Sequence, residues 1–141
     1  MYTIKQISAF LENKKGRLAE MTEVLAKEDI NIRALSLAEN ANFGVARMIV
    51  DNPDKCARVL KENNFIARET DVIAVEISDK PGGLHKVVAV LDKAKINVEY
   101  MYATIERRKN NAVVIFRIDD TEKALKVLKE KRINVLKKDV F

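Results

Sequence analysis

Apolar positions along this chain follow a strand, helix, strand, strand, helix, strand order, and the order occurs twice. Ile4 to Leu11 and Val72 to Ile77 are β-prone runs, each leading into a polar turn that holds a glycine, Glu12–Gly16 and Ser78–Gly82. Leu18, Met21, Thr22 and Leu25 then recur at the spacing of one helical face, as Leu84, Val87, Val88 and Leu91 do later, which predicts two amphipathic helices with these stripes in the core. Ile30-Asn31-Ile32-Arg33 and Ile96-Asn97-Val98-Glu99 alternate apolar and polar, as a half-buried strand does. Beyond Arg33 and Glu99 the alternation loses its phase. Turn residues at Glu39–Asn42 and Arg107–Asn111 precede two further strands, Val45–Val50 and Val113–Ile118. Asn52-Pro53 reads as a helix cap with proline in the first position, and Asp119 with Glu122 three residues on reads as a capping box. Cys56, Val59 and Leu60 form the buried stripe of one helix, Ala124, Val127 and Leu128 that of the other. Short strands around Ile66–Thr70 and Asn134–Val140 close each set.

The repetition extends to residue identity. Gly16, Leu18, Val24, Leu25, Lys27, Ile30 and Asn31 recur 66 positions on as Gly82, Leu84, Val90, Leu91, Lys93, Ile96 and Asn97. Asp51, Lys55, Val59, Leu60, Lys61 and Glu62 recur 68 positions on as Asp119, Lys123, Val127, Leu128, Lys129 and Glu130, so two residues are inserted near Arg107–Asn111. A period this long exceeds that of solenoid repeats and predicts two small domains, residues 1–71 and 72–141. The fold class expected is α+β: two ferredoxin-like βαββαβ units, each an antiparallel sheet with both helices on one face. The first copy's last strand meets the second copy's first near Asp71 and Val72, with no flexible linker between them. Units of about 70 residues are marginal alone, so pairing or further association is expected.

Composition then narrows the function classes. The chain is 48% apolar, which argues against disorder, and no apolar run approaches the roughly 18 residues of a membrane span. The N-terminus lacks a basic-then-apolar leader, so a cytoplasmic location is expected. One cysteine, Cys56, and one histidine, His85, exclude an intrachain disulfide and argue against a zinc site or a nucleophile–base pair. Phosphate-cradling glycine motifs are absent from the sequence. The expectation is a protein with no catalytic residue, no metal and no cofactor. Residues 1–72 carry 11 basic and 11 acidic side chains, residues 73–141 carry 15 and 10, so the net charge of +5 lies wholly in the second copy. Lys123, Lys126, Lys129, Lys131 and Arg132 supply much of it; a solvated helix face explains them, and nucleic-acid binding is the competing account. RNA-recognition modules share the βαββαβ order but need aromatic residues on the middle strands, and Val45–Val50 has none while Val113–Ile118 has only Phe116.

The strand-to-helix turn is where binding chemistry remains. A glycine loop ahead of a helix presents unpaired N–H groups at the positive end of the helix dipole, where a carboxylate can sit. Asn13 offers an amide beside it, and Asn31 and Asn97 stand at the starts of neighbouring strands. The plainer account is that Asn13 and Asp79 cap turns while Gly16 and Gly82 relieve backbone strain.

Asn13-Lys14-Lys15-Gly16-Arg17-Leu18 with Ile30-Asn31-Ile32, and Asp79-Lys80-Pro81-Gly82-Gly83-Leu84 with Ile96-Asn97-Val98, resemble the ACT domain, over essentially the whole chain. The resemblance implies a stand-alone pair of amino-acid-binding regulatory units with no catalytic domain attached. It implies effectors held where ACT units meet, against the glycine loop of one unit and a strand edge of its neighbour. The positions so implied are Asn13, Lys15, Gly16, Arg17, Leu18, Asn31 and Ile32 in the first copy. In the second they are Asp79, Pro81, Gly82, Gly83, Leu84, Asn97 and Val98. Asp79 departs from the asparagine of the family pattern and would repel a carboxylate, so unequal sites are expected. Leu11 and Ile77, where serine-sensing members are often polar, disfavour serine. The implied partners are a free amino acid, a second copy in a homodimer and an amino-acid metabolic enzyme. An RNA-binding module and a purely structural dimerisation module are the alternatives.

Overall fold

The computed structural model describes residues 2–39, 42–105 and 108–139. The chain forms two compact units, one of Lys5–Thr70, the other of Asp71–Phe141 with Met1–Ile4. The first is built from β1 (Ile4–Glu12), α1 (Arg17–Lys27), β2 (Ile32–Glu39), β3 (Phe43–Val50), α2 (Pro53–Glu62) and the opening residues of β4 (Ile66–Ser78). The second uses the rest of β4, then α3 (Gly83–Lys93), β5 (Val98–Ala103), β6 (Asn111–Ile118) and α4 (Thr121–Glu130). The two strands expected on either side of Asp71 are therefore one continuous strand.

Strand order in the first unit is β2-β3-β1-β4, with β3 antiparallel to both β1 and β2. The second unit repeats it as β5-β6-β4, again antiparallel, and residues 134–136 lie beside β4 through Glu76 N–H to the Asn134 carbonyl and Leu136 N–H to the Ala74 carbonyl, both 2.9 Å. This closing segment is shorter than the expected Asn134–Val140, whose last residue lies outside the described residues. Alternate residues of the strands meet both helices on one face. Ile7, Ala9, Leu11, Ala46, Met48 and Val50 pack with Met21, Leu25, Cys56, Val59 and Leu60 in the first core, and Ile73, Val75, Val114, Phe116 and Ile118 pack with Val87, Leu91, Ala124 and Leu128 in the second. Each unit has the split βαβ layout of a ferredoxin-like domain.

Local chemistry explains most element ends. The Asn52 side chain accepts a hydrogen bond from Lys55 N–H at 3.2 Å, with Pro53 in the first turn, as the sequence predicts. At α4 the expected cap is displaced by one residue: Asp120 accepts from Lys123 N–H, at 3.1 Å. Asp119 is already committed, because its carboxylate accepts from Asn97 N–H at 3.1 Å, as Asp51 does from Asn31 N–H. The first-helix stripes also need correction. Leu18 and Leu84 are exposed, Val88 is half-buried, and the Thr22 hydroxyl turns back to the Leu18 carbonyl at 3.0 Å. Leu18 and Leu84 sit in the first turn of their helices.

Candidate functional site

Gly16 and Gly82 end the two strand-to-helix loops at φ 89° and 86°, in the left-handed region that a side chain strains. Around them the loops share several backbone hydrogen bonds. Asn13 N–H donates to the Asn42 carbonyl as Asp79 N–H does to Asn110, each 3.1 Å, and Lys14 and Lys80 N–H donate to the carbonyls of Glu12 and Ser78. The second loop adds a bond of its own, Gly83 N–H to the Lys80 carbonyl at 3.0 Å.

The space above the two loops differs. In the second unit a cavity of about 420 Å³ lies against Pro81, Gly82 and Gly83, within the range of small-molecule sites, about 300–1,000 Å³. Glu76, Asn111, Arg132, Ile133, Asn134, Lys80 and Lys86 complete much of its wall. Glu76 is the organised polar group there. Asn111 Nδ2 donates to its Oε1 at 3.0 Å and Asn134 Nδ2 to its Oε2 at 2.6 Å, so two carboxamides from two segments fix one carboxylate. Gly83 is fully packed: a Cβ on it would collide with the Ser78 carbonyl oxygen, so only glycine lets α3 begin this close to the loop.

In the first unit a hollow of about 80 Å³ lies between the loop and β2, lined by Asn13, Arg17, Leu18, Leu37 and Glu39 among others. Arg17 stands where Gly83 stands in the second unit. Its guanidinium lies 4.5 Å from the centre of the Phe65 ring, 2.6 Å from a Glu20 oxygen and 3.6 Å from Glu12. Its Nε is shielded from solvent and makes no hydrogen bond.

The structure therefore brings together only part of the sequence-derived set. Pro81, Gly82 and Gly83 share one cavity wall, and Asn13, Arg17 and Leu18 share the other. Lys15, Gly16, Asp79 and Leu84 are exposed and line neither cavity. Asn31, Ile32, Asn97 and Val98 lie past the far ends of α1 and α3, about 16 Å along an 11-residue helix from the loops of their own unit. Sequence reasoning missed Glu76, Asn111, Arg132 and Asn134. Their signal lay in the duplication, at positions where the copies change chemical type: Phe10 against Glu76, Phe43 against Asn111, Asn64 against Arg132 and Ile66 against Asn134.

Cys56 is wholly buried in the first core, where burial first and the Asp51 charge second push its thiol up to about 12. A thiol so held is a packing group and not a nucleophile. Among the described residues no group of His, Cys, Asp and Glu is arranged to hold a metal ion, and no helix is long and apolar enough to cross a membrane.

The family model described as an ACT domain pair matches residues 2–141. The chain belongs to the ACT-domain family of regulatory modules. Protein BT0572 from Bacteroides thetaiotaomicron is similar in structure with a TM-score of 0.90 and 47% identity, over 96% of this chain and 92% of that one. The ligand-free regulatory subunit of aspartate kinase from Thermus thermophilus shares the fold at a TM-score of 0.64 and 15% identity, over 89% and 91% of the two chains. The corresponding subunit from Thermus flavus gives 0.65 and 15%, over 92% and 93%. A comparison with curated proteins gives no match. The two ferredoxin-like units are thus ACT units in tandem.

Proposed function

We propose that this ACT pair is a small regulatory protein that binds a free α-amino acid and passes its occupancy to an enzyme of amino-acid metabolism. The observation that carries this reading is the Glu76 cluster in the second unit's cavity. An α-amino acid presents an ammonium and a carboxylate a few ångströms apart. Glu76, oriented by Asn111 and Asn134, offers the ammonium a fixed counter-charge. Lys86, Arg132 and the start of α3 at Gly82–Gly83 offer one to the carboxylate. Aspartate kinase regulatory subunits share the fold, which supports regulation of a partner enzyme over a purely structural role.

In this reading the chain catalyses nothing, residues 1–71 and 72–141 are its two ACT domains, and it acts in the cytoplasm as a homodimer. Leu18, Leu37, Phe43 and Leu84 are exposed large apolar side chains near the loops, and association would cover them. Binding would favour one packing of the ACT units over another, by as much as the ligand's affinity differs between them. The test is a thermal-shift screen of the protein against the free amino acids, with light scattering beside it. At about 100 times Kd the gain is about 2.7 kcal/mol, a rise of several degrees for a chain of this size. A single amino acid or a close group should give that rise, at a mass twice 16.0 kDa. No rise with any amino acid would overturn the reading.

A further inference from the structure

We propose that the two ACT units are unequal by construction: the second alone takes a ligand, an amino acid with an acidic side chain, while Arg17 fills the first. This rests on the amino-acid-binding reading above and narrows it.

The first unit has a similar glycine loop but supplies its own occupant. Arg17 carries its guanidinium onto Phe65 and toward Glu12 and Glu20, the positions that match Ile133, Ser78 and Lys86 in the wall of the second unit's cavity. In the second unit every member of that arrangement is changed. Gly83 replaces Arg17, Ile133 replaces Phe65, Ser78 replaces Glu12 and Lys86 replaces Glu20. The register of β1 with β3 and of β4 with β6 fixes the match of Ser78 with Glu12, since Glu12 lies opposite Phe43 as Ser78 lies opposite Asn111. Removing the side chain opens the cavity, and exchanging the acids reverses its charge. Where the first unit holds a cation between two carboxylates, the second presents Lys86 and Arg132 to an empty space.

The charges lining the open cavity then select the ligand. Lys80, Lys86 and Arg132 face one carboxylate, Glu76, whose two oxygens are already held by Asn111 and Asn134. A neutral amino acid brings one carboxylate and one ammonium, and leaves two cations without a partner. A basic one adds a like charge to them. An amino acid with an acidic side chain brings two carboxylates and one ammonium, which matches the wall in sign: ammonium to Glu76, carboxylates to the cations. Ile77, Pro81, Val87 and Ile133 supply apolar wall for its short methylene chain.

Arg132 offers a test that spares the fold. It sits at φ 57°, where glycine is relaxed, so Arg132→Gly removes the cation and relieves strain together. Titration calorimetry of the full chain with aspartate, glutamate, asparagine, glutamine and lysine decides the proposal. The expected result is one site per chain, with an acid bound about tenfold or more tighter than its amide and lysine unbound. Arg132→Gly should weaken the acid by about tenfold while leaving the amide nearly unchanged, the loss expected for one charged contact. Two equivalent sites per chain, or equal affinity for acid and amide, would overturn the proposal while leaving amino-acid binding standing. Saturable binding of other amino acids alone, found in the screen above, would do the same. No binding of any amino acid would remove the reading beneath it.

Discussion

The Arg17 guanidinium lies 4.5 Å from the centre of the Phe65 ring, and Phe65 is itself buried at 5% exposure. The pair occupies the two positions that Gly83 and Ile133, both lining the cavity, hold in the second unit. Arg17 is a stabilising residue in this account. Truncating it removes a cation–aromatic contact and two ion pairs, both to exposed partners. Arg17→Ala should cost about 1–2 kcal/mol in urea unfolding, with the ligand affinity of the second unit unaffected.

The two glycines of the second loop should fail differently. Gly82→Ala meets open space but holds a side chain at φ 86°, a strain of about 1–2 kcal/mol. Gly83→Ala drives its methyl group into the Ser78 carbonyl, so the loop must move and the cavity must change shape. Denaturant midpoints should fall for both, and ligand-induced stabilisation should be lost with Gly83→Ala.

Caps give a sharper check on the start of α4. Asp120→Ala should cost about 1 kcal/mol, as Asn52→Ala should at α2. Asp119→Ala should act elsewhere, exposing the Asn97 amide to faster hydrogen exchange, because that carboxylate holds the start of the second unit's edge strand.

Cys56 links structure to pH. The folded protein keeps the thiol neutral, so its pKa rises from 9.0 to about 12. Between those values the unfolded chain loses the proton that the folded chain retains. The stabilisation is therefore complete below pH 9, and is lost as pH rises toward 12. Unfolding monitored from pH 8 to 11 should show stability falling, and Cys56→Ala should flatten that fall. Thiol reagents should label the protein only when it unfolds.

Much of this fold was legible in the chain because the duplication let each pattern be read twice. The βαββαβ order, both cores and the Asn52-Pro53 cap follow from periodicity and turn chemistry. The reading lost its phase at Arg33 and Glu99 for a physical reason: the pairing register of β2 with β3 shifts between Ile32 and Ala34, and that of β5 with β6 between Val98 and Tyr100. A bulge adds a residue and breaks the two-residue alternation on which strand reading depends. The candidate site was legible only in its backbone. Gly82 and Gly83 announce a loop, but Glu76, Asn111 and Asn134 come from three separate segments that only the sheet brings together. Their spacing in sequence carries no signal. What did carry one was the contrast between copies, where an aromatic or aliphatic residue in the first becomes a hydrogen-bonding one in the second.

The most direct test of a ligand site in the second unit is an NMR titration of the isotope-labelled full chain with the amino acid that stabilises it most. The account predicts shifts concentrated at the Gly82 and Gly83 amides and the Asn111 and Asn134 side-chain amides, with Gly16, Arg17 and Leu18 unmoved. Shifts centred on Gly16 to Leu18, or at Asn31 and Asn97 with the Glu76 cluster silent, would contradict it.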